Sequence, residues 1–180
     1  MDMKRSTVLL GLAFIILLVL SYIGNTIFFS ILGDILQNQF LAVAMLFINN
    51  ILVISLILLG MTFYVNLVIL DFFKREKYAH IVLEHPRTFA LVFTIMILFL
   101  SVLRVSNLIY GTISVEALPL ILLVSAPIGI IEGYGMYLTI KKTLSRAMFM
   151  KDLGYICGIF FVAAVMEVVF INLLVWIAAG

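Results

Sequence analysis

An all-α membrane protein of five helical crossings is the fold that this chain of 180 residues calls for. Apolar residues make up 66% of it and the mean hydropathy is +1.32, a balance that leaves a water-soluble domain of this size without polar surface to show to solvent. Of the 11 Lys and Arg residues, all but Arg104 fall in three clusters: Lys4 and Arg5; Lys74, Arg75, Lys77 and Arg87; Lys141, Lys142, Arg146 and Lys151. The apolar runs between and beyond these clusters are long enough to cross a bilayer, which takes roughly 20 helical residues. The connections around Asp34 and Glu116 carry no basic residue. By the positive-inside rule the basic segments are cytoplasmic and the bare ones external, so the N-terminus lies inside and the C-terminus outside a multi-pass cell-membrane protein.

In chain order, the spans are expected over residues 7–32, 41–73, 88–110, 117–140 and 153–178, within a single transmembrane domain covering 1–180. The first has a basic start but is longer than a signal-peptide core and has no small-x-small cleavage site, so it is expected to remain as an anchor. The second is too long for a plain crossing. A helix over 41–73 would reach about 50 Å against a hydrocarbon core of about 30 Å. Splitting it would break the charge alternation downstream, so an irregular helix is expected, with an irregular or interfacial start at Asn49-Asn50 or a final stretch from Thr62 along the inner leaflet. The fourth is expected to kink at Pro127, which lacks an N–H and frees the carbonyl near Leu123.

Composition also limits function. No basic stripe interleaved with aromatics points to nucleic acid. Cys157 stands alone in an apolar run and reads as a packing residue. His80 and His85 share a cytoplasmic loop with Glu84, but a metal site wants a third well-placed ligand, so no metal and no cofactor is expected. With no histidine in any span and no nucleophile elbow, no catalytic constellation is visible. Partners are therefore the lipid bilayer and either further copies of the chain or other membrane proteins.

Three charges lie within the spans: Arg104, Glu132 and Glu167. An ionisable side chain at mid-bilayer costs at least about 3 kcal/mol, so each needs a partner or a purpose. Counted from the external helix ends, Arg104 lies about 10 Å deep, Glu167 about 17 Å and Glu132 about 22 Å. Arg104 is expected to pair with Glu167. Glu132, left without a cation, is expected to be protonated and to donate to a neighbouring polar group, beside the helix break made by Pro127 and Gly129. Small and polar residues at helical spacing (Ser21, Gly24 and Asn25; Thr94, Ser101 and Asn107; Ser125 and Gly135) read either as helix-packing faces or as a polar pathway.

The order of these features resembles the stage II sporulation protein M family. Phe47-Ile48-Asn49-Asn50 is similar to its Asn-Asn helix. Ala126-Pro127-Ile128-Gly129-Ile130-Ile131-Glu132 resembles its Pro-His-Gly-x-x-Glu element, and Ala163-Ala164-Val165-Met166-Glu167 its Ala-Ala-x-x-Glu segment. The likeness covers residues 47–176. Ile128 stands where the family commonly has histidine, so any role of that histidine is missing here. The resemblance implies matched positions at Glu132 and Glu167 and a membrane component of larger assemblies. The expected function is a non-enzymatic scaffold or subunit. The alternative is a small transporter or permease subunit for protons, ions or lipids that uses the intramembrane carboxylates.

Overall fold

A computed structural model describes residues 3–35, 38–70, 72, 81–110, 116 and 118–179. The described residues form six helices and no strand: α1 (Met3–Ile35), α2 (Gln39–Ile69), α3 (Ile81–Glu84), α4 (Pro86–Tyr110), α5 (Leu118–Leu144) and α6 (Met150–Ala179). Helices are the natural outcome for such runs, because backbone amides within a bilayer have no water to bond and must satisfy one another within the segment. Among the described residues, four helices are long and apolar enough to cross a membrane, over Lys4–Phe28, Gln39–Ile69, Pro86–Leu103 and Met150–Leu173. The remaining expected span, the fourth over 117–140, coincides with α5, which carries Glu132, Lys141 and Lys142 along its length. The basic residues Lys74, Arg75 and Lys77, and His80, lie outside the described residues.

α2 corrects one expectation. It runs without interruption through Asn49 and Asn50 to Ile69, so neither an irregular start at the Asn pair nor a separate segment from Thr62 is found. The stretch contains no proline, and the hydroxyls of Ser55 and Thr62 donate to the carbonyls of Ile51 and Leu58 one turn back, which leaves the helical ladder intact. Asn38 caps its start, the side-chain oxygen accepting from the Leu41 N–H at 3.2 Å. α5 likewise stays helical through Pro127.

Three helices make the core. α2, α5 and α6 pack against one another, while α1 packs mainly on α2 and α4 mainly on α5. The reason is legible along α2, whose buried residues are Ala42, Leu46, Asn50, Ile54, Ile57, Met61, Val65 and Val68. Their spacing of three and four keeps one stripe facing inward over the whole length. Toward the C-terminal end of α2 this stripe meets Ala90 of α4, Met136, Ile140 and Leu144 of α5, and Ile156 and Phe160 of α6. Toward the other end it meets Phe28 and Ile35 of α1 and Ala164 and Val168 of α6. In lipid, exclusion from water does not drive helices together, so close packing must. Glycines supply it: a Cβ at Gly11 would lie 2.7 Å from the Phe63 ring, one at Gly60 would lie 3.0 Å from Phe14, and one at Gly133 would lie 2.8 Å from Leu98.

The turn joining α5 to α6 is tightly built. The N–H groups of Arg146 and Ala147 donate to the carbonyls of Thr143 and Lys142, at 3.0 and 2.9 Å, and Arg146 takes φ 51°. This is the Schellman closure of a helix C-terminus, with an arginine in the position that glycine usually fills. Asp152 then accepts from the Phe149 N–H at 3.0 Å and from Lys142 Nζ at 2.7 Å, tying the first turn of α6 to the last turn of α5.

Candidate functional site

Each core helix places one polar residue where the three meet. α2 brings Asn50, which falls on the buried stripe between Leu46 and Ile54 and is 8% exposed. α5 brings Glu132, one turn before Gly135, the residue against which Phe160 of α6 packs. α6 brings Glu167, two turns beyond Phe160 and beside the fully buried Ala163 and Ala164. Helical side chains lean toward their own N-termini. Because α5 and α6 run in opposite directions, Glu132 leans toward the level of Glu167 and Glu167 leans back toward Glu132.

The outcome is a carboxyl pair within electrostatic reach of one another, each partly buried. The Asn50 amide is directed at the Glu132 carboxyl. Its Nδ2, however, is buried and completes no hydrogen bond of good geometry among the described residues. α4 closes the adjacent side: Leu98 and the Thr94 methyl lie against Gly133, the residue after Glu132. The Thr94 hydroxyl is buried and also has no hydrogen-bond partner among the described residues.

The sequence singled out Glu132, Glu167 and Asn50, and the structure brings these three together. Asn49 is only partly buried and does not share the buried stripe. Arg104 belongs to α4, but its side chain lies outside the described residues, as does the expected Arg104–Glu167 pair. Pro127 is exposed and Gly129 faces open space, so this flank of α5 is not part of the cluster. The Ser125 hydroxyl donates to the Ile121 carbonyl at 2.7 Å and is thereby used within its own helix. The unpaired Thr94 was legible only as one member of a polar face. Its burial depends on the α4–α5 contact, which no local pattern announces.

What the cluster can do follows from its groups. Two carboxyls, one amide and one hydroxyl can bond helices to one another, hold protons, or offer oxygen atoms to a cation. No group of three His, Cys, Asp or Glu side chains suited to a metal ion lies among the described residues. A shallow apolar groove lined by Ile81, Val82, His85, Thr88, Phe89 and Val92 lies at the other end of α4. Compared with known protein families, curated proteins and solved structures, the chain finds no match.

Proposed function

We propose that the chain is a five-pass integral membrane protein, with α5 as the fourth crossing bent at Pro127, that serves as a non-enzymatic scaffold or subunit of a larger membrane assembly. The N-terminus is cytoplasmic and the C-terminus external in this reading, as the distribution of basic residues requires. The resemblance of the Asn49-Asn50, Pro127-to-Glu132 and Ala163-to-Glu167 segments to the stage II sporulation protein M family supports it. The observation that carries it is the attachment of α1. That helix is held mainly along α2 and exposes Val8, Leu12, Ile15, Val19, Ile23 and Ile27 around the rest of its circumference, a side open to lipid or to another helix.

A scaffold extracted in mild detergent is expected to run as a stable assembly larger than one copy by native mass spectrometry, and to keep that mass in a Glu132→Gln variant. Reconstituted alone, it should pass protons no faster than protein-free vesicles. A second reading, as a small transporter subunit, is favoured by the carboxyl pair at the centre of the bundle. Proton flux in the wild type that vanishes in Glu132→Gln would overturn the scaffold in its favour.

A further inference from the structure

Charge balance limits what the meeting point of α2, α5 and α6 can hold. Two carboxylates in electrostatic reach inside a low-dielectric bundle do not both ionise unless a cation accompanies them. The surrounding described groups supply none. α2 presents the uncharged Asn50, and α4 presents Thr94 and Leu98. The next titratable group on α5 is Tyr134, which is exposed, and the described Lys and Arg side chains (Lys4, Arg5, Arg87, Lys141, Lys142, Arg146 and Lys151) all belong to helix ends or the α5–α6 turn.

We infer that Glu132 and Glu167 bind a small monovalent metal cation of the sodium class in exchange for one proton, with Asn50 as the residue that positions Glu132. Carboxylate oxygens are hard ligands and suit a hard cation. The exchange balances: one carboxyl O–H breaks, its proton leaves to solvent, the cation takes its place between the oxygens, and the net charge of the cluster is unchanged. That balance is the same whether or not Arg104 adds its charge, since either way one proton is replaced by one positive ion.

Asn50 is the independent observation. Its amide is more than nine-tenths buried, directed at Glu132, and unpartnered at Nδ2 among the described residues. A protonated Glu132 has a donor of its own to place, whereas an ionised one is acceptor-only and can be drawn onto Nδ2. The cation-loaded form therefore offers the orphaned amide a charged acceptor, where the proton-loaded form offers only the weaker neutral carbonyl oxygen. This goes beyond the scaffold reading and is tested by binding rather than by flux, so either can fail without the other.

The experiment uses the full chain in lipid nanodiscs, with NaCl, LiCl or KCl replacing choline chloride at constant ionic strength. Melting temperature and proton release into a weakly buffered indicator are read together. Sodium is expected to raise Tm over choline by a few degrees, more near pH 8 than near pH 6 because protons compete, with about one proton released per cation bound. Glu132→Gln and Glu167→Gln should each lose both signals. Asn50→Leu should fold with Tm in choline unchanged or raised, since it removes an unpaired buried amide, while the apparent cation affinity falls about tenfold or more. No difference between sodium and choline in the wild type at either pH overturns the inference, and so does a sodium shift that survives in both Gln variants. Should the Gln variants fail to fold, wild-type sodium affinity in Asn50→Leu overturns it equally.

Discussion

Phe160 of α6 occupies the space where Gly135 of α5 has no side chain: a Cβ at Gly135 would run into the edge of the Phe160 ring, and that ring is completely buried. The contact sits one turn from Glu132 and sets how closely α5 and α6 approach. The carboxyl pair therefore depends on a glycine that carries no chemistry.

Gly135→Ala should destabilise the protein by about 1–3 kcal/mol, the usual cost of overpacking a site whose neighbour cannot swing away. Gly129→Ala and Gly158→Ala, where an added Cβ meets nothing within 4 Å, should be neutral or slightly stabilising. Thermal unfolding in detergent compares the three, and equal tolerance at all three positions would remove the claim that Gly135 sets the α5–α6 distance.

The α1–α2 contact is a reciprocal latch, with Phe63 of α2 over Gly11 and Phe14 of α1 over Gly60. Gly11→Leu should release the N-terminal half of α1 while leaving the α2–α5–α6 core folded. Disulfide cross-linking between cysteines at Thr7, which is buried on the α2-facing side of α1, and Leu67 in a Cys157→Ala background reads this directly. Efficient cross-linking in wild type that drops several-fold in Gly11→Leu is expected, and an unchanged yield argues against the latch.

Arg146 holds a left-handed conformation that costs an L-residue roughly 1–2 kcal/mol and glycine almost nothing. Arg146→Gly should therefore raise stability by about 1 kcal/mol, because the Schellman hydrogen bonds do not involve the arginine side chain. A lower melting temperature would mean that the Arg146 side chain contributes more than its backbone costs.

Membrane orientation is tested with a membrane-impermeant maleimide on intact cells, again in the Cys157→Ala background. A cysteine at Glu116, between α4 and α5, should be labelled from outside, and one at Arg146, in the α5–α6 turn, should be labelled only after permeabilisation. The reverse pattern would invert the proposed topology.

The helices could be read from the sequence because they are a local matter. Long apolar runs in a solvent without hydrogen bonds have one economical backbone, and clusters of Lys and Arg mark where those runs end. The same local reasoning went astray at Asn49-Asn50, where an amide pair within an over-long span suggested irregularity. The hydroxyls of α2 fold back on their own ladder and the helix continues. Burial cost alone marked Glu132 and Glu167 as residues in need of partners.

Which partners they meet was decided by tertiary structure. Depth counting placed each carboxyl along the membrane normal but carried no information on which way it faces around its helix. That angle is fixed by the packing of Phe160 on Gly135 and Leu98 on Gly133, and by the stripe that turns Asn50 rather than Asn49 inward. Packing of this kind is a property of helix pairs far apart in the chain, so the meeting of Asn50, Glu132 and Glu167 belongs to the fold and to no single segment.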